Sequence, residues 1–352
     1  MKASFFTLTE MVIVSAATAA VTVLLLACGR PTAADTVSDI ATQTWRKSLT
    51  VGADVPMRAE MKMSQRHHGK TYYSTAHIVQ GSRGRFRMEY VLPVEARGRI
   101  VFSDGKTNWQ YEPKRNVVER TDLIVMSELR DRDSMSLIEA NYRIELVDSK
   151  GSAGARPATV IDLIPKHAGK SRQRRWIDRQ TCKTLRIETH YTDGILASMV
   201  SYDQTELPAA VADADFQPMR SDKVRSVGPS QIMTSLMTHT IPAKFSDIGL
   251  KPTAALGFQL VEISASEIEG APASQLLYSD GIETVSIFVQ SGDSALSAAP
   301  QTWKQLRVGN HTVYENVDHH VYALTWLKNG RRYTAISHLT HEALQQLVVD
   351  QM

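Results

Sequence analysis

The 352-residue chain contains only two cysteines, Cys28 and Cys182, so it has no disulfide framework and no CxxC pair for metal or redox chemistry. It is also short of net charge: 40 Lys+Arg against 37 Asp+Glu leave +3, which gives no general attraction to nucleic acid. No GxSxG, HExxH, P-loop or GxGxxG pattern occurs, which removes the common nucleophile, zinc and nucleotide signatures. The adjacent histidines His67-His68 and His319-His320 would point to opposite faces of a strand and form no chelate. His338 and His341 flank a helix start without a third ligand at suitable spacing. Cys182 lies in the polar turn Asp178-Arg179-Gln180-Thr181-Cys182-Lys183, where Arg179 and Lys183 favour a thiolate but no base completes a nucleophile. These absences point to a binding protein, not an enzyme, with no cofactor, no metal and no nucleic-acid partner.

One long apolar run is present. Residues 11–27 carry no charge and have the length of an export signal or a short membrane span. The run ends in Leu25-Leu26-Ala27-Cys28-Gly29, which resembles a bacterial lipobox with Cys28 as the lipidated residue, although Leu26 is unusual at its position. Two acyl chains, at about 0.8 kcal/mol per buried CH₂, anchor a protein stably where one does not. An uncleaved or ordinarily cleaved signal fits the same run, with Cys28 merely its last small residue. Phe6-Thr7-Leu8-Thr9-Glu10 resembles a type IV prepilin start, except that Phe5 stands where glycine is required. All three alternatives place the rest of the chain outside the cytoplasm. A lipoprotein on the periplasmic side of the envelope is the leading one.

With 43% apolar and 22% charged residues the remainder is globular, and its length suits about two domains. Residues 36–50 have helical spacing at Val37, Ile40, Ala41, Thr44 and Trp45. Beyond them the period becomes two, as in Phe86, Met88 and Tyr90 alternating with Arg85, Arg87 and Glu89. Ile100 and Phe102 continue the pattern, Asp104-Gly105 turns the chain, and Trp109 and Tyr111 follow. Further strands are expected over 142–147, 158–164, 174–178, 185–192 and 195–202, with Asp193-Gly194 joining the last two. Residues 121–140, with Met126, Leu129, Met135, Leu137 and Ile138, suit short helices forming a lid. The reading is an α+β protein whose first part is an antiparallel half-barrel.

The alternation lapses in a polar stretch, giving a signal and tether over 1–34, a half-barrel domain over 35–218, a linker over 219–243 and a second domain over 244–352. Strands are expected there at 258–263, 273–278, 284–289, 312–314, 321–327 and 333–337, with Asn329-Gly330 as a hairpin turn. A closing helix follows Thr340 as N-cap.

Two candidate sites emerge. Phe86, Met88, Tyr90, Ile100, Phe102, Trp109 and Tyr111 are assigned to one face of the curved sheet beneath a lid containing Met126. That face is either a filled core or an apolar cavity for an acyl chain, in which about 15 CH₂ groups would gain on the order of 10 kcal/mol. Lys166, Lys170, Arg172, Arg174 and Arg175 form a basic run with His167, either a solvated loop or a contact for lipid headgroups or an acidic partner.

Several segments resemble a known family: 84–90 (Gly-Arg-Phe-Arg-Met-Glu-Tyr), 98–106, Trp109-Gln110-Tyr111-Glu112-Pro113 and Trp176-Ile177-Asp178. They look like the LolA-like half-barrel of lipoprotein carriers and of the MucB/RseB family of periplasmic sigma-E regulators. Residues 275–289, and 324–330 through Tyr333 to the closing helix, resemble the C-terminal domain of MucB/RseB proteins, which simple carriers lack. The resemblance implies a non-enzymatic protein that caps the periplasmic segment of a membrane anti-sigma factor, slows its proteolysis, and senses lipid or lipopolysaccharide acyl chains in the half-barrel. Family members begin with an ordinary secretory signal, whereas this chain resembles a lipoprotein or membrane-retained form. A membrane-tethered lipid or lipoprotein carrier, and a pilus-associated surface module, stand as alternatives.

Overall fold

The computed structural model describes residues 37–67, 69–105, 108–121, 135–216, 224–227, 248–268, 271–290, 303–318 and 321–352. Helix α1 (Val37–Leu49) buries Ala41 and Trp45, one turn apart, and leaves Ile40 exposed. The first sheet comprises β1 (Met57–His67), β2 (Lys70–Gln80), β3 (Arg85–Leu92), β4 (Ile100–Asp104), β5 (Asn108–Glu112), β6 (Val117–Thr121), β7 (Tyr142–Asp148), β8 (Ser152–Ala153), β9 (Arg156–Pro165), β10 (Arg172–Asp178), β11 (Thr184–His190), β12 (Leu196–Glu206) and β13 (Val224–Val227). Its path runs β13-β6-β5-β4-β3-β2-β1-β12-β11-β10-β9-β7, with β8 on β9, and the two ends do not pair. The sheet is therefore an open half-barrel. Residues 135–141 are helical, and α1 packs mainly on β7, β9 and β10. The face it covers is the inner face.

The second sheet comprises β14 (Thr253–Ala254), β15 (Phe258–Ile268), β16 (Ala271–Ser279), β17 (Thr284–Gln290), β18 (Lys304–Val308), β19 (His311–Asp318), β20 (Val321–Lys328) and β21 (Arg331–Ser337), in the order β14-β15-β16-β17-β21-β20-β19-β18. Helix α2 (His341–Gln351) buries Ala343, Leu344, Leu347 and Val348 against it, and the Thr340 hydroxyl accepts the Ala343 N–H as an N-cap. Trp326 and Tyr333 stack at 5.3 Å within this core. Asn329-Gly330 turns β20 into β21 with φ of 52° and 71°, the two left-handed residues of a type I′ hairpin.

Several strands depart from the sequence reading. The longest hairpin of the first sheet, β1 with β2, lies outside the strands expected from sequence, although Met57, Ala59, Met61 and Met63 alternate there with Arg58, Glu60 and Lys62. Strand β18 was likewise not anticipated. Strand β13 falls inside the stretch read as a linker, yet pairs in parallel with β6 on the edge of the first sheet.

Candidate functional site

The inner face is fixed by cross-strand register, because directly opposed residues share a side. From β2 to β3 the pairs are Ala76 with Tyr90, Ile78 with Met88 and Gln80 with Phe86. From β3 to β4 they are Phe86 with Ser103 and Met88 with Val101. Phe86, Met88 and Tyr90 therefore share the inner face with Met57, Met61, Ala76 and Ile78, and Met63, Val200 and Tyr202 pack half-buried beside them.

Ile100, Phe102, Trp109 and Tyr111 do not belong to this face. Phe102 opposes Arg87 and Ile100 opposes Glu89, so these four point to the other side, where they form a separate cluster with Val118. Assigning all seven residues to one surface put β4 and β5 out of register by one residue, which reverses every side chain. Met126 lies outside the described residues, as do Cys28 and the apolar run 11–27. Among the described residues no helix is long and apolar enough to cross a membrane.

The basic run disperses to several places. Arg174 makes a bidentate pair with Asp162, at 2.7 and 2.9 Å, and Arg172 approaches the same carboxylate at 3.5 Å. Lys166 donates to the Glu139 carbonyl at 2.8 Å. Arg175, one residue out of phase with its neighbours, projects from the inner face, where its Nε donates to Gln173 Oε1 at 2.7 Å. Burial pulls its guanidinium down to about 10, which leaves it charged at neutral pH.

Lys170 is not a surface cation. Its Nζ lies 2.6 Å from Asp280 Oδ2 with both side chains fully buried, joining the first sheet unit to the second. Nζ also donates to the Leu256 carbonyl at 2.5 Å and sits 4.7 Å over the Phe258 ring. Tyr142 donates its hydroxyl to Asp280 Oδ2 at 2.9 Å, and burial beside that carboxylate drives the phenol pKa far up. Asp280 Oδ1 accepts the amides of Ile282 and Glu283. Asn141 Nδ2 donates to the carbonyls of Leu137, Gly257 and Asp280, Ser171 N–H to Glu283 Oε1, and Thr340 N–H to the Gly169 carbonyl. Gly257, at φ 78°, is required: a Cβ there would stand 1.8 Å from Asn141 Oδ1.

Beside this clamp is a cleft of about 560 Å³ between the β9–β10 and β11–β12 turns, with Lys166, His167, Arg172, His190 and Asp193 among its walls. Burial, then the Lys170 charge, lowers the His167 pKa. Burial lowers that of His190, with Glu188 opposing. Both imidazoles are held toward the neutral form, and Arg172 is already shared with Asp162, so the cleft is polar and only weakly cationic at neutral pH. Sequence reasoning missed His190 and Asp193 as partners of the basic run, because only the fold brings the two turns together.

No family model and no curated protein matches the sequence. Among solved structures, the chain is similar to a chain of the Pseudomonas aeruginosa MucA/MucB complex, with TM-score 0.57 at 16% identity, covering 88% of this chain and 96% of that one. It is similar to the structure of MucB in complex with MucA(peri), with TM-score 0.54 at 16% identity, covering 88% and 97%. MucB alone gives TM-score 0.50 at 17% identity, covering 88% and 97%. The chain therefore has the MucB fold, an antiparallel half-barrel followed by a smaller sheet closed by a C-terminal helix, as its strand and turn motifs implied.

Proposed function

We propose that this chain is a non-enzymatic regulator on the periplasmic side of the cell envelope. It binds the extracytoplasmic segment of a membrane anti-sigma factor and slows its proteolysis, and lipid held on the half-barrel's inner face controls that binding. The single observation that carries the reading is likeness to MucB across both sheet units, in structures where MucB is paired with MucA. The buried clamp at Lys170 and Asp280 supports it, since a fixed relation between the two units suits one partner spanning both. Cys28 would hold the chain at the membrane as its lipid-bearing residue, with the domain division falling near 219–243.

A second reading, a tethered lipid or lipoprotein carrier, is favoured by one observation: apolar residues of the inner face, including Met63, Phe86, Tyr90 and Val200, are only partly covered. In-cell crosslinking of the tagged full-length chain, with captured proteins and lipids identified by mass spectrometry, separates the two. The regulator reading expects a single-span protein with a cytoplasmic sigma-binding segment, whose extracytoplasmic part resists protease longer with the chain than without it. Capture of lipids or acylated proteins alone overturns that reading in favour of the carrier.

A further inference from the structure

Arg175 is out of place on the surface it occupies. Its cross-strand neighbours are Ile161 on β9 and Ile187 on β11, and the row continues through Val200 to Met63. At about 4.8 Å per strand, the apolar row extends about 14 Å from Arg175 to β1; on β2 it meets Ser74, and the apolar face continues diagonally along β1 through Met61 to Ala76 and Ile78 on β2 and Met88 on β3. On this face the guanidinium makes one hydrogen bond among the described residues, from Nε to Gln173, and none of their carboxylates pairs with it. Arg172 and Arg174, on the opposite face, both reach Asp162.

A neutral donor in the bordering cluster lacks an acceptor. Trp45 is fully buried in the cluster of Ile161 and Ile177 that borders Arg175, and its indole Nε1 has no hydrogen-bond partner. Covering an apolar strip that contains an unpaired charge is costly unless the covering group brings an oxyanion. A purely apolar tail would satisfy the methionines and strand the guanidinium. An acidic amphiphile satisfies both, because the terminal nitrogens of Arg175 offer the planar fork that grips a carboxylate or a phosphate.

We infer that Arg175 is the anchor for the acidic head of an amphiphile whose acyl tail lies along the methionine-rich inner face of β12, β1, β2 and β3. This rests on the proposed lipid occupancy of the half-barrel and adds what that proposal leaves open, the chemistry of the head. The site selects charged amphiphiles over uncharged ones of equal tail length, and the selectivity resides in one side chain.

The test uses the full chain, delipidated in detergent, and displacement of a dansyl-labelled fatty acid by palmitate, palmitoyl lysophosphatidate and uncharged hexadecanol. Wild type is expected to prefer at least one acidic competitor over hexadecanol by about tenfold or more, the range of a charge-assisted hydrogen bond. Arg175→Leu should abolish that preference while hexadecanol displacement persists, which also reports that the face is still folded. Arg175→Lys should retain part of it. Arg175-dependent preference for palmitate alone identifies a carboxylate head, for lysophosphatidate alone a phosphate, and for both a general oxyanion site. Equal displacement by all three competitors, unchanged in Arg175→Leu, overturns the anchor and leaves lipid occupancy standing. Failure of wild type to bind the labelled fatty acid overturns both.

Discussion

Lys170→Met keeps the length of the side chain and removes its charge, which leaves Asp280 fully buried without its cation. Breaking a buried ion pair from one side costs about 3–5 kcal/mol. Asp280 keeps the Tyr142 hydroxyl and the amides of Ile282 and Glu283, so the loss should fall near the lower end, about 3 kcal/mol. Asp280→Asn removes the countercharge of Lys170 and leaves it the Leu256 carbonyl, the Phe258 and Tyr142 rings and a neutral amide oxygen, and a similar or larger loss is expected. With both changes together no uncompensated charge remains, so the double variant should lose less than the sum, with a coupling of about 2 kcal/mol or more. Urea unfolding of the four proteins followed by circular dichroism gives these values, and limited proteolysis reports loosening between the two units. Single losses below about 1 kcal/mol, or additivity within about 0.5 kcal/mol, would refute the clamp.

Gly257→Ala should destabilise by about 2 kcal/mol or more, since the new Cβ meets Asn141 Oδ1 at 1.8 Å at a φ of 78°; adding Asn141→Ala should recover part of the loss in the same unfolding assay. Lys183, which donates to the Ala53 and Val55 carbonyls, is pulled by burial to about 8 from 10.5, so the folded chain releases this proton before the unfolded one does. The cost of burying its charge is full below about pH 8 and fades as pH rises toward about 10.5, so Lys183→Met should be about 1–3 kcal/mol more stable than wild type near neutrality. That advantage should shrink by about pH 10, and a gain independent of pH would contradict the assignment. Val200→Glu on the inner face should sharply reduce binding of the dansyl-labelled fatty acid, whereas Trp109→Glu on the opposite face should leave it within about twofold; the reverse result would place the lipid on the wrong side of the sheet.

Local chemistry made much of the architecture readable. Thr340 before an apolar face gave the last helix, Asn329-Gly330 gave a two-residue hairpin, and the alternation of Phe86, Met88 and Tyr90 gave an interior strand of the half-barrel. Met57, Ala59, Met61 and Met63 carry the same alternation, but methionine has little strand preference, so the pattern is a weak strand signal. The candidate site was legible only in half. Each strand's two faces could be separated within its own sequence, but which face of β4 continues that of β3 depends on pairing Phe86 with Ser103, not with Phe102. The basic run shows the same limit, since its residues look alike in sequence and their roles were set by distant partners: Asp162 for Arg174, Asp280 for Lys170, and for Arg175 an apolar row.

What the sequence by itself determined is a part of the strands, the hairpin turns and the closing helix, because periodicity, hairpin glycines and caps act over a few residues. Which surfaces became inner face, clamp and cleft was decided only by tertiary structure, because register, burial and ion pairing join residues far apart in the chain, 110 positions for Lys170 and Asp280 and 138 for Tyr142 and Asp280.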